Sequence, residues 1–359
     1  MSWGSGYFGQ LGHGPDKVFC KEPTVIDRLM PHFVGGDIVA VYAGGMNSAA
    51  IVAGDASAWK NRHRDGRKVE TRVFRFGSNK FNQCAVIDSG GKSSNAVAYP
   101  TPMVAVLHPE SGERVSFHAL ALGRLHSVGL CQSGDLYSWG FTPRCGHSGK
   151  GTSNTVKSAL KSKSGTIQPR RIDSLRGIKI VQVAAGDAHT LALSDDDMLY
   201  SWGRGSNGQL GHGNEMDVLS PKLVTVLQYK YGLLSNTNNG LITTKFDAYT
   251  TEIIKSTNGR RLLIDAAGNF SAMVTPSGDL FTWGCNADGQ LGHKSCQESA
   301  TYAQLKRDST QTDLSLQFDS TPIVQIPRRV ECLRDLGLLV QDLSLGMHFT
   351  LVLCSHSKS

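Results

Sequence analysis

At 359 residues, 40% apolar and 19% charged, the chain has the composition of a folded globular protein and not of a disordered or fibrous one. Its formal charge of +7 is spread along the sequence without a basic arm, which disfavours nucleic acid as the main partner. No apolar stretch approaches the ~20 residues needed to cross a bilayer. The eight cysteines (Cys20, Cys84, Cys131, Cys145, Cys285, Cys296, Cys332 and Cys354) form no C-x-x-C pair, and no secretory leader opens the chain. The expectation is an intracellular protein with free thiols, cytoplasmic or nuclear and not secreted. Glycine is the outlier: 40 residues without a Gly-X-Y period imply many turns and hence short strands.

The elements follow in chain order. Ser2 to Gly14 (SWGSGYFGQLGHG) reads as a strand ending at Trp3-Gly4, then a glycine-rich loop. Val39 to Val52 (VAVYAGGMNSAAIV) gives two apolar strands about a tight glycine turn. Residues 53–72 (AGDASAWKNRHRDGRKVETR) interrupt the pattern with a basic insert: Lys60, Arg62, His63, Arg64, Arg67, Lys68 and Arg72 surround Trp59. Val73 to Ala85 (VFRFGSNKFNQCA) restores a third strand and loop, with Phe76 in the tryptophan place.

Ala119 to Gly140 (ALALGRLHSVGLCQSGDLYSWG) repeats the pattern with Gly123, His126 and Trp139 in register. A Ser/Lys-rich insert, 149–166, follows. Ile180 to Gly213 (IVQVAAGDAHTLALSDDDMLYSWGRGSNGQLGHG) is the fullest copy, with Gly186, His189 and Trp202. After insert 227–262 comes Leu263 to Gly292, with Gly268 and Trp283, and then insert 294–321. The last copy, Val340 to Leu353 with Gly346, stops after two strands. Its missing half stands at the other terminus, although Met1-Ser2 leaves little strand before Trp3; either this latch is short or the true start lies upstream.

Between copies, Pro23, Pro102, Pro169, Pro221 and Pro327 each open a run that reads as a fourth strand on an outer edge, where the missing N–H loses no ladder bond. Four short strands per unit form a propeller blade, which cannot bury both faces alone. The prediction is one all-β domain over 1–359: a β-propeller of five blades, its ring closed by the terminal halves of one split repeat. Trp3, Trp139, Trp202 and Trp283 are expected to fill the core between blades. In the G-Q-L-G loops, Leu is a core plug and Gln a partner for loop backbone.

The pattern A-x-G-x-x-H-[ST]-x-x-L…G-D-L-Y-S-W-G-x-x-x-x-G-Q-L-G resembles the repeat of the regulator of chromosome condensation. That family's founder has seven blades, so seven with two eroded blades is the rival count. The founder is an exchange factor for a Ran-type GTPase, and the resemblance implies such activity as an alternative. The founder's exchange residues lie outside the repeat, so the resemblance carries no site onto this chain.

The residues themselves offer no catalytic motif. G-x-S-x-G, H-E-x-x-H and G-x-x-x-x-G-K-[ST] are missing. Asp195-Asp196-Asp197 falls at a hairpin turn, where aspartate satisfies local donors. His126 and His189 give way to Asn47, Phe270 and Phe349 in other copies, which argues for loop packing and against catalysis. The expected function is a scaffold without catalysis, cofactor or metal. It would dock protein partners through its loops, with the 53–72 insert offered to an acidic surface.

Overall fold

The computed structural model of the chain describes residues 1–55, 57, 60, 69–87, 91–141, 165–225, 261–293 and 323–356. Among them the protein is all-β, with four four-stranded antiparallel sheets and two two-stranded ones. The first pair is β1 (Ser2–Ser5) and β2 (Phe19–Thr24). One blade follows as β3 (Asp37–Gly44), β4 (Asn47–Ala53), β5 (Thr71–Ser78) and β6 (Ala96–Pro102). The next is β7 (Phe117–Leu122), β8 (His126–Cys131), β9 (Leu136–Phe141) and β10 (Gly165–Arg171). Then come β11 (Ile180–Ala185), β12 (His189–Ser194), β13 (Leu199–Gly203) and β14 (Val218–Leu223). The fourth blade is β15 (Leu263–Ala267), β16 (Phe270–Val274), β17 (Leu280–Cys285) and β18 (Ile323–Arg329). The chain closes on the pair β19 (Leu338–Leu345) and β20 (Thr350–His356). Strands pair with their chain neighbours throughout, as in a propeller blade. By sequence pattern β19–β20 match strands one and two of the repeat and β1–β2 match strands three and four, and each pair forms its own two-stranded sheet.

The chain resolves into two compact units. The first holds Met1–Arg204, Asp217–Leu223 and Ala266–Gly268; the second holds Gly205–Met216, Val224–Asp265 and Asn269–Ser359. In the first unit, the period-2 alternation of each strand serves two cores at once. Ala49, Ile51 and Ala53 of β4 pack with Phe117, Tyr137 and Trp139 of the following blade. Ala50 and Val52 point the other way, onto Ile26, Leu29 and Phe76. Val128, Leu130 and Leu136 repeat the arrangement against Ile180, Ala192 and Trp202. In the second unit Ala272, Val274 and Leu280 pack with Val330 and Val340.

The fourth strands differ from expectation in where proline sits. Each begins upstream of its proline, and the ladder register shifts between the partners of the residues flanking Trp3, Phe76, Trp139, Trp202 and Trp283. Pro23, Pro169, Pro221 and Pro327 lie within these bulges. In the first complete blade the bulge holds Pro100, and the expected Pro102 instead ends the strand. A bulge opposite the large aromatic gives proline a place where no N–H is required.

Trp139, Trp202 and Trp283 are fully buried, but Trp3 is 61% exposed. The difference has a topological cause. β1 pairs along one edge only, with β2, so no second strand lies beside its tryptophan as β8, β12 and β16 lie beside the other three.

Candidate interaction face

In every blade the turn between strands one and two and the loop after strand three lie at the same end of the sheet. The sequence around that end is committed to clips between neighbours. In the G-Q-L-G loops the glutamine side chain accepts from the backbone N–H two residues earlier. Gln10 takes Phe8 N at 2.9 Å, Gln209 takes Asn207 N at 2.8 Å, and Gln290 takes Asp288 N at 2.9 Å. Gln83 does the same with Phe81 N at 2.9 Å, although its loop reads Asn82-Gln83-Cys84-Ala85. Leu11, Leu210 and Leu291 are buried beneath.

The glutamine's carbonyl then faces the next blade. Gln83 O accepts from Ser127 Oγ at 2.9 Å and Trp139 Nε1 at 2.8 Å. Gln209 O accepts from Ser271 Oγ and Trp283 Nε1, both at 2.9 Å. Ser48 Oγ reaches Gln10 O at 2.9 Å, and Thr350 Oγ1 reaches Gln290 O at 2.8 Å. The [ST] of the first-turn motif and the indole of W-G are thus two donors to one acceptor. Sequence reading treated them separately, because their acceptor lies in the preceding repeat.

In the units of β1–β2 and β15–β18 a second clip ties strand three to the loop that follows it. Ser2 Oγ donates to Leu11 O at 2.6 Å and meets His13 Nε2 at 2.9 Å. Thr282 Oγ1 donates to Leu291 O at 2.7 Å and meets His293 Nε2 at 3.0 Å. The hydroxyl has one proton, already given to the leucine carbonyl, so each ring donates from Nε2–H. Burial, followed by the charge of Lys17, holds His13 below the ordinary imidazole value of 6.5. The folded state therefore binds fewer protons than the unfolded chain just below that value. The stabilisation is complete above about pH 6.5 and is lost as pH falls below it. Melting at pH 7.5 and 5.5 should show a drop that is smaller in His13→Gln, which keeps a donor and does not titrate.

Several first turns pack glycine under the ring of the residue three positions on. His126 Nε2 pairs with Thr190 Oγ1 at 2.7 Å, and Asn47 Nδ2 donates to Gly44 O and Gly123 O at 3.1 Å. His126 and His189 are both fully buried. A Cβ on Gly123 would stand 2.6 Å from Gly186 O, and one on Gly186 would stand 2.1 Å from the His189 ring. Gly346 meets Phe349 in the same way, at 2.3 Å. Gly268, at φ 49, accepts Asp187 N at 2.8 Å through its carbonyl.

Among the groups the clips leave at this end of the first unit is a small basic and aromatic surface. Phe81 and Phe141 meet edge to face with centroids 5.3 Å apart, and exposed Lys80 lies 6.0 Å from the Phe81 ring. Arg124 is held by Asp187 at 2.9 Å. No sequence signal singled these residues out, since they occupy the unpatterned positions of the repeat.

The opposite end carries the basic insert. Trp59, Arg62, His63, Arg64, Arg67 and Lys68 lie outside the described residues, and Lys60 is exposed. β4 ends at Ala53 and β5 begins at Thr71, so the insert proper is 54–70. Arg72 belongs to β5 and donates to Val34 O and, at 2.8 Å, to Gly35 O, capping the short helix Pro31–Val34. Inserts 149–164, 227–260 and 294–321 also fall outside the described residues. The three-aspartate turn is a plain one: Ser194 Oγ donates to Asp196, and Asp197 adopts φ 61. Among the described residues no group of His, Cys, Asp or Glu could hold a metal, and no helix is long and apolar enough to cross a membrane.

A family model for the regulator of chromosome condensation (RCC1) repeat matches residues 2–51, 133–193, 196–230 and 277–353, well over half of the chain. The chain belongs to the RCC1 repeat family. It is similar to the human E3 ubiquitin-protein ligase HERC2, 28% identical over 293 residues that make up 81% of this chain and 5% of that one. It is also similar to the ultraviolet-B receptor UVR8 of Arabidopsis thaliana, 29% identical over 81% of this chain and 50% of that one. The RCC1 repeat chain thus spans half or less of these relatives. Human WBSCR16 shares its fold, with a TM-score of 0.61 at 16% identity over 99% of this chain and 68% of that one. The RCC1-like propeller is therefore the architecture, and among the described residues the sheets are four four-stranded ones and two two-stranded ones.

Proposed function

We propose that this RCC1 repeat protein is an interaction module without catalysis, which docks a protein partner on the first-turn end of its first unit. The observation that carries this is how the repeat spends its chemistry. The hydroxyls of Ser127 and Ser271 and the indoles of Trp139 and Trp283 are engaged with backbone carbonyls of the preceding loops, and the buried His126 ring is taken by Thr190 Oγ1. Lys80 is exposed at that end and Phe81, Arg124 and Phe141 are half-buried beside it, an aromatic pair flanked by cations suited to an acidic partner segment. The 54–70 insert offers a second basic element at the other end.

Capture experiments with the full chain test this. Reversing Lys80 and Arg124 to glutamate should weaken partner binding about tenfold, largely through association. Replacing 54–70 by a short Gly-Ser linker should remove any partner held by the insert. Unchanged capture by both variants would refute docking at either place. The same protein should be mixed with small GTPases loaded with fluorescent guanine nucleotide. Unchanged release keeps the scaffold reading, and release accelerated by orders of magnitude would replace it with exchange activity.

A further inference from the structure

The loop Asn79–Ala85 departs from its sister loops at three points that meet in space. The sisters carry glycine at both left-handed positions: Gly9 and Gly12, Gly208 and Gly211, Gly289 and Gly292. Here those positions are Asn82 at φ 61 and Ala85 at φ 51. Leucine is replaced by Cys84, fully buried. On the strand beneath, where the other blades have Ser2, Ser138, Ser201 and Thr282, stands Arg75, also fully buried.

Arg75 is the unusual member. One terminal nitrogen is fully used, on Asn47 Oδ1 at 2.6 Å, Gln83 O at 2.9 Å and Ser127 Oγ at 3.0 Å. Its Nε and other terminal nitrogen meet no oxygen or nitrogen acceptor, and among the described residues no carboxylate pairs with it. Cys84, beside the guanidinium, is a thiol that donates to Ser78 O at 3.3 Å, and burial outweighs the pull of Arg75 in pushing it up, so it supplies no countercharge. The ring of Trp139, 5.7 Å away, offers a weak compensation.

A buried cation without a countercharge and an alanine in left-handed backbone both raise the energy of the closed loop; water reaching the guanidinium relieves the first, and the loop's change of conformation on lifting relieves the second. We infer that the joint between blades β3–β6 and β7–β10 opens locally, the loop Asn79–Ala85 lifting from Ser127 and Trp139 while both blades stay folded. The opening hydrates Arg75 and exposes Cys84. It makes the loop a movable part of an otherwise clipped face, in the class of low-stability segments that serve binding.

Thiol labelling of the intact protein with iodoacetamide, followed by peptide mapping, tests the inference. Cys84 should react at least about tenfold faster than Cys131, a buried strand thiol of the next blade, and with little dependence on low urea. A second measurement does not use the cysteine. The variant Arg75→Thr, Phe76→Trp, Asn82→Gly, Cys84→Leu, Ala85→Gly restores the sister sequence. Amide exchange of residues 79–87 should be slower in it than in the wild type by more than about tenfold. Cys84 and Cys131 reacting together with one urea dependence would overturn the inference. So would exchange in 79–87 that the sister sequence leaves unchanged.

Discussion

Trp283→Ala should lower the stability of the second unit by about 3–5 kcal/mol, the range for emptying a fully buried aromatic site. The indole is completely enclosed, and its N–H also holds Gln209 O of the preceding loop at 2.9 Å. Its removal therefore leaves a cavity and loosens a joint between repeats. The molecule holds its own comparison. In β5 the same position is Phe76, and the carbonyl it would have met, Gln10 O, is still taken by Ser48 Oγ at 2.9 Å. Trp283→Phe should accordingly cost only about 1–2 kcal/mol, because Ser271 Oγ continues to satisfy Gln209 O. Urea unfolding followed by circular dichroism would report both variants. With two compact units the curves should be fitted for two transitions. A Trp283→Ala protein with the wild-type midpoint would show that the indole contributes no packing.

Gly44→Ala should be still harder to accommodate. A Cβ there would lie 1.9 Å from Leu122 O and 2.9 Å from Leu122 C, both backbone atoms of the neighbouring blade. No side chain can swing aside, so the two inner strands must separate at the turn. The cost should reach or exceed the about 1–3 kcal/mol typical of overpacking, with poor soluble yield as a further sign. Gly54 is the control: nothing lies within 4 Å of a Cβ there and its φ is ordinary. Gly54→Ala should be neutral or stabilise by about 0.4–1 kcal/mol through the unfolded chain. Equal melting of the two alanine variants would mean that the close approach at Gly44 is not a constraint.

The basic insert shows how far a local pattern reaches. Six cations and a histidine around one tryptophan read as a single finger from 53 to 72, and the strand ends narrow it to 54–70. Arg72 looked like part of the cluster because charge is counted along the chain. Its guanidinium is used on the carbonyls at the end of a short helix some 37 residues away in sequence. Proline shows the same limit at finer scale. Pro100 and Pro102 are equally good candidates in sequence, and the bulge opposite Phe76 selects the first.

The amino-acid sequence by itself determined the repeat and its four-strand unit, and of the four tryptophans it assigned to the core, three are buried. Those features are local and recur, so each copy checks the others. Tertiary structure decided what a repeat cannot encode about its neighbour. It showed that one carbonyl in the preceding loop gathers the hydroxyl and the indole. It left Trp3 exposed on a strand with a single partner, and it placed an uncompensated arginine beneath a glycine-free loop. The physical reason is that hydrogen-bond satisfaction and burial are properties of pairs of blades, whereas turn chemistry and strand alternation are properties of a single stretch of chain.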